Sequence, residues 1–278
     1  MTATGLSARA KAFRRDGAIC LRGVLSAPLV ELLRGGIDEN IAAPSPRAKV
    51  ASGADDPGRF IEDFCNWRRN EAYRRIVFES GLAAIAGELT GSARIRVYHD
   101  HMLTKEAGTA QRTPWHQDQP YYNIEGEQAV SFWIPVDPVD RASSLEFVAG
   151  SHRGPWLMPR SFMDDEARWF PEGSLADLPD IDANRDAYPI IGWALKPGDA
   201  IAFHTLCLHS AAGARRRRRV FSLRFIGDDV THAPRRWRTS PEFPGLADEL
   251  PAGAPMDNPL FPLVWERARR AGRRPPRL

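Results

Sequence analysis

Along the first ninety or so residues apolar positions recur at helical spacing, and beyond Gly91 they alternate in twos, so the chain changes character there. Ser7 to Arg14 predicts a helix with Ser7 as N-cap, because a serine hydroxyl accepts an otherwise unpaired first-turn amide. The segment SAPLVELLRGGIDENI opens on Ser26 as a second cap and carries Leu29, Val30, Leu32 and Leu33 on a helix face. NEAYRRIVFESGLAAIAGELTG predicts one helix or two, with a break at Ser80-Gly81. AICLRGVL alternates enough for a short strand, and SPRAKVASGADDPGR reads as a loop from its Pro, Gly and Ser content.

After Gly91 the period is two. ARIRVYHDHML sets Ile95, Val97, His99 and His101 on one strand face and Arg94, Arg96, Tyr98 and Asp100 on the other. AVSFWIPV and SLEFVAGSH predict further strands, and RVFSLRFIG another. GWALKPGDAIAFH holds two, split by the turn Pro197-Gly198-Asp199. Several short strands between turn signals predict a mainly β fold, a barrel or jelly roll, with N-terminal helices packed against it. The expected organisation is one domain over residues 1–278: a helical part to about 90, a β core over about 91–230 and a C-terminal extension over 231–278. Within the core, residues 155–189 lack periodicity and are rich in Asp, Pro and Trp. Loops this long in a compact core are usually functional, and a lid is expected.

Composition narrows the class. With 43% hydrophobic and 26% charged residues the chain reads as a soluble globular protein. Three cysteines, Cys20, Cys65 and Cys207, are an odd number with no Cys-x-x-Cys, which argues against a disulfide frame or zinc knuckle and for a reducing compartment. The N-terminus lacks the apolar run of a signal peptide, and no stretch approaches the ~20 apolar residues of a membrane span. A cytoplasmic protein without a membrane partner is expected. Arg215 to Arg219 and the tail WERARRAGRRPPRL are basic, but the net charge is only +3, so a solvated face is favoured and no nucleic-acid partner is expected. Nothing in the sequence speaks to oligomeric state.

The chemistry begins at TPWHQDQPYYN. His116 and Asp118 stand at i and i+2, on one face of a strand, which makes half a metal site or an ordinary ion pair. A third ligand has two candidates in PGDAIAFHTLCLHSAAG, His204 and His209; small residues follow the second and leave room for a ligand near the backbone. Two histidines and a carboxylate leave an octahedral metal three open positions, the ligand set of non-haem Fe(II) oxygenases, whereas zinc more often takes a closed tetrahedral site. A 2-oxo acid can chelate through two of those positions, and O2 can take the third. The far carboxylate of 2-oxoglutarate then needs an anchor, and arginine's planar fork suits it. Strand parity sets Arg218, Val220, Ser222 and Arg224 on one face and Arg219, Phe221, Leu223 and Phe225 on the other. Because Ser222 could add a hydroxyl to the same carboxylate, Arg218 is favoured over Arg219.

Taken in order, WHQDQPYY, SFWIPVDPV, SLEFVAGSHRG, KPGDAIAFHTLCLHSAAG and RRVFSLRFIGDD resemble the phytanoyl-CoA dioxygenase family of Fe(II)/2-oxoglutarate oxygenases over roughly residues 90 to 230. The resemblance implies a double-stranded β-helix core, iron held by His116, Asp118 and His209, and 2-oxoglutarate anchored by Arg218 with Trp133 as a wall. It implies an enzyme that uses O2 and 2-oxoglutarate to hydroxylate an unactivated C–H of a small molecule, releasing succinate and CO2. Desaturation or ring closure by the same oxidant, or a non-catalytic metal-binding jelly roll, are the alternatives. Halogenation is disfavoured because Asp118 fills the position a chloride would need. His101, Gln119, Tyr121, Tyr122 and Trp156 are the candidates for the substrate pocket.

Overall fold

The computed structural model describes residues 6–158, 170–171 and 173–268. Helix α1 (Ala8–Asp16) leads into strand β1 (Ala18–Leu21), and α2 (Ala27–Ala42) into β2 (Lys49–Val50) and β3 (Phe60–Phe64). Two short helices, α3 (Glu71–Glu79) and α4 (Leu82–Thr90), precede the long β4 (Arg94–Lys105). The chain continues through β5 (Thr113–His116), β6 (Ile124–Glu125), β7 (Ala129–Pro135), β8 (Leu145–Val148), β9 (Ile190–Gly192), β10 (Ala200–His204), β11 (His209–Ala211) and β12 (Arg218–Ile226). It closes with β13 (Thr231–His232), α5 (Leu246–Glu249) and β14 (Leu263–Glu266).

Local chemistry accounts for the helix ends. The Ser7 hydroxyl accepts the Ala10 amide at 3.2 Å. Gly17, at φ 78°, reverses the chain from α1 into β1. Ser26 stands at the N-cap of α2, but its side chain accepts no amide there. The break at Ser80-Gly81 is real: Gly81, at φ 76°, separates α3 from α4.

Two antiparallel sheets carry the site. The larger runs β1-β10-β7-β12-β4-β3-β2, with β14 also paired to β4; the smaller runs β5-β11-β8-β9. They meet through Phe203 of β10, whose ring lies 5.2 Å from Phe147 of β8 and 4.7 Å from His209 of β11. This is a jelly roll. The outer face of the larger sheet is apolar and covered by helices: Leu33, Ile37, Tyr73, Ile76 and Leu82 pack on Val97, Phe132, Phe221, Leu223 and Phe225.

The structure departs from the sequence pattern in three places. Besides the expected strand at β1, the first ninety residues supply β2 and β3 to the larger sheet as well as four helices. In β3 all five residues are buried, so the alternation that marks a half-exposed strand is missing, and Lys49–Val50 pairs with it inside the expected loop. The third departure is a β-bulge. Arg224 pairs with His99 but Phe225 pairs with Val97, which leaves Tyr98 as an extra residue on β4. Ile95 and Val97 therefore join the helix-side core, whereas His99 and His101 line the cavity between the sheets.

Of the expected lid over 155–189, residues 159–169 and 172 lie outside the described residues. Its described part brings Phe170 to the cavity wall, against Tyr121 at 5.7 Å and Trp237 at 5.1 Å. Among the described residues no helix is long and apolar enough to cross a membrane.

Candidate active site

Antiparallel pairing of β5 with β11 sets His116 directly opposite His209, with ring centroids 4.2 Å apart. Asp118 follows β5, where its amide donates to the Thr205 carbonyl at 2.8 Å. Its Oδ1 lies 3.5 Å from His116 Nε2 and 3.7 Å from His209 Nε2. One donor atom from each of the three residues falls within 4.8 Å of the others, and all three residues are buried. The other ring nitrogens are held by backbone: His116 Nδ1 lies 2.8 Å from the Pro114 carbonyl and His209 Nδ1 2.9 Å from the Cys207 carbonyl. A carbonyl only accepts, so each Nδ1 carries the proton and each Nε2 offers a lone pair.

Electrostatics suit a cation. Burial, with the His116 ring beside it, pushes His209 down to about 3, so its imidazole is neutral at pH 7. Burial alone would raise the Asp118 carboxyl, but the Arg224 guanidinium beside it outweighs burial and holds the group well below the usual carboxylate range. Asp118 Oδ2 accepts from Ser131 Oγ at 3.1 Å and from Arg224 Nη2 at 3.3 Å, which leaves Oδ1 turned toward the imidazoles. Two imidazoles with Nε2 turned inward and one ionised carboxylate on a common point are a donor set that fits Fe(II) and leaves coordination positions open.

The cavity beside this triad measures about 400 Å³, the size of a small-molecule site. Register across the larger sheet builds its floor in rows. Trp133, Ser222, His101 and Phe64 are paired across four strands, as are Ser131, Arg224 and His99 across three. Arg218 lines the cavity, with its guanidinium 5.5 Å from the Trp133 ring and bonded to the Ser143 carbonyl. Burial lowers it to about 10, so it stays charged at neutral pH. Arg219 points the other way, to Asp137 at 2.6 Å and Asp38 at 2.7 Å.

Most of the residues singled out in the sequence come together here. His116, Asp118, His209, Arg218, Trp133, Ser222, His101, Tyr121 and Tyr122 all line the cavity. Gln119 does not: its side chain donates to the Gly126 carbonyl at 3.0 Å and accepts from Thr205 at 2.6 Å, tying loops together. Trp156 lies away from the cavity under the Arg235 guanidinium, 4.9 Å from its ring centre. His204 is bonded at both nitrogens, to the Glu127 carbonyl at 2.8 Å and the Leu206 amide at 3.0 Å, outside the triad. Sequence reasoning missed Arg224, which bonds Asp118 and the Tyr122 hydroxyl, and the wall residues Lys49, Phe60, Glu62, Phe64, His99 and Phe170. For Arg224 the signal existed, since it shares the parity of Arg218; for Glu62 nothing in β3 singled it out.

The family model for phytanoyl-CoA dioxygenase (PhyH) matches residues 13–220. A probable phytanoyl-CoA dioxygenase of Caenorhabditis elegans is 24% identical over 195 residues, a match covering 66% of this chain and 55% of that protein, so the chain spans only about half the length of that relative. L-proline trans-4-hydroxylase of Streptomyces griseoviridis is 28% identical over 243 residues, covering 80% of this chain and 86% of that enzyme. Among solved structures, the non-haem alpha ketoglutarate dependent epimerase SnoN of nogalamycin biosynthesis superposes with a TM-score of 0.71 at 23% identity, covering 96% of this chain and 97% of that one.

Proposed function

The chain belongs to the phytanoyl-CoA dioxygenase family, and from that premise we propose that it is an Fe(II)- and 2-oxoglutarate-dependent oxygenase that hydroxylates a C–H of a small molecule. The observation that carries the reading is the buried convergence of His116 Nε2, Asp118 Oδ1 and His209 Nε2 beside a cavity whose wall holds a buried arginine. Iron and 2-oxoglutarate, when bound, supply the oxidant from O2 and release succinate and CO2.

The chain's own residues prepare the site. The Pro114 and Cys207 carbonyls fix the tautomers of His116 and His209 and keep both rings aimed inward. Arg224 and Ser131 orient Asp118 and keep it ionised. Arg218 receives the far carboxylate of 2-oxoglutarate, with Trp133 flanking it and the Ser222 hydroxyl available to the same group. Leu145, Val220 and Phe203 line the same cavity and exclude water from it, which strengthens each of these charge interactions. All three cysteines carry free thiols, which fits a reducing compartment, and we place the protein in the cytoplasm.

The test is succinate formation that requires Fe(II), 2-oxoglutarate and O2 together. Turnover that survives complete removal of metal would overturn the proposal. The likeness to an epimerase keeps oxidation without net hydroxylation as a second outcome of the same machinery. Product analysis of the first substrate found separates the two.

A further inference from the structure

One charged group on the cavity wall belongs neither to the triad nor to the arginine side. Glu62, on β3, is 1% exposed and lines the cavity. Its Oε1 lies 3.2 Å from His101 Nε2, and its Oε2 lies 3.4 Å from Lys49 Nζ without making a hydrogen bond. A buried carboxylate is costly unless cations or several donors surround it. Asp118, the other carboxylate here, accepts from Ser131 and from the Arg224 guanidinium. Glu62 has a neutral imidazole, for burial lowers His101 to about 4, and one lysine whose side chain is 43% exposed at the rim. Even so, the His101 ring and the Lys49 ammonium outweigh burial and keep the Glu62 carboxyl below its ordinary value, so it is an anion at neutral pH.

The way charged groups pair across the cavity gives that anion a purpose. Arg224 is paired with Asp118, and on the proposed function Arg218 is paired with the cosubstrate. Among the charged groups that line the cavity, Glu62 is the carboxylate whose lysine partner, Lys49, is itself half-exposed and whose Oε2 accepts no hydrogen bond. Phe64 and Phe60, also on the wall, give the space next to it aromatic faces, which attract cations as well. Phe64 already stacks on His101 at 3.8 Å and has the Lys49 ammonium 5.1 Å from its ring centre.

We propose that Glu62, backed by His101, receives a positively charged nitrogen of the substrate, so that the substrate class is small amines, amino acids included. The proposal rests on the oxygenase reading above. Lys49 then acts as a placeholder: its ammonium occupies the rim side of Glu62 until the substrate's nitrogen displaces it.

The experiment measures binding on the full chain loaded with Mn(II) and 2-oxoglutarate. A panel of small compounds in three sets is used: primary and secondary amines including L-proline, the same compounds N-acetylated, and amine-free carboxylates and alcohols. Thermal shift finds the binders, and calorimetry gives Kd for the tightest. Binders should fall in the first set. Glu62→Gln should raise their Kd tenfold or more while leaving the Kd for 2-oxoglutarate within twofold, which also reports that the variant is folded. Lys49→Met, at a half-exposed side chain, should tighten a carboxylate-free amine at least twofold. Binders confined to the acetylated or amine-free sets, a panel with no amine binder, or amine affinity unchanged in Glu62→Gln would each overturn the proposal. Loss of 2-oxoglutarate affinity in Glu62→Gln would also overturn it and assign Glu62 to the cosubstrate. Wild type that binds amines but not Mn(II) with 2-oxoglutarate would instead sink the oxygenase reading.

Discussion

Glu62 and Asp63 are adjacent on β3 and both nearly lose contact with solvent, yet they face opposite sides of the larger sheet. Asp63 looks toward the helices and is saturated: it accepts from Asn40 Nδ2 at 2.8 Å, the Ser45 amide at 2.7 Å and the Phe64 amide at 2.8 Å. Glu62 looks into the cavity and has no hydrogen bond to Oε2. The same contrast recurs on β12. Arg219 is held by Asp137 and Asp38 on the helix side, whereas Arg218 on the cavity side has a carbonyl and the face of Trp133. His99 Nε2, Ser222 Oγ and Arg224 Nη1, all on the cavity side, also lack partners. One face uses its polar groups on one another and gains stability. The other holds hydrogen-bonding capacity in reserve, at a cost in stability, and that reserve is what a ligand would meet.

Substitutions on the two faces should therefore fail differently. Asp118→Ala should reduce succinate formation below detection while the circular dichroism spectrum stays that of the wild type; measurable turnover in this variant would remove Asp118 from the metal site. On the proposed function, Arg218→Ala would break a desolvated charge pair with the cosubstrate, worth on the order of 2–5 kcal/mol, so the KM for 2-oxoglutarate should rise roughly 30-fold to several-thousand-fold. Arg219→Ala should leave that KM within a few-fold and appear instead as a lower denaturation midpoint. If the two arginines exchange these phenotypes, the division between the faces is wrong.

Asp63→Asn probes the stabilising face through pH. Its hydrogen bonds, against the opposing effect of burial, hold the folded-state pKa below the ordinary carboxylate value. The stabilisation is therefore present above the unfolded-state pKa, near 4, and is lost as pH falls through the lowered one. The variant should be less stable than wild type by about 1.5–3 kcal/mol at pH 7, and urea melts should show the gap closing toward pH 3. His204→Ala, which removes two internal hydrogen bonds, should cost about 1–3 kcal/mol of stability and leave metal affinity unchanged, whereas His209→Ala should abolish metal binding. The smallest effect belongs to Arg216→Ala, in the exposed part of the arginine run, where both KM and stability should stay close to wild type.

Much of the division was legible in the residues themselves. The alternation of Arg218, Val220, Ser222 and Arg224 against Arg219, Phe221, Leu223 and Phe225 is strict, because β12 runs without an extra residue of its own through the centre of the sheet, and the i, i+2 rule sorts it without any coordinates. His116 and Asp118 were legible as a pair for the same reason, and the Pro197-Gly198-Asp199 turn marked where β10 begins. Tertiary structure decided the rest. Whether His204 or His209 completes the triad depends on which strand each joins: His204 ends β10 in the larger sheet, and His209 opens β11 opposite His116. The bulge at Tyr98 turned His99 and His101 away from Ile95 and Val97, because one inserted residue reverses parity and only the partner strand reveals it. Glu62 lies in a strand buried on both faces, where polarity no longer tracks orientation. Periodicity reports which residues of one strand share a face; which strands lie side by side, and so which faces meet around a ligand, is set by long-range pairing that no local pattern encodes.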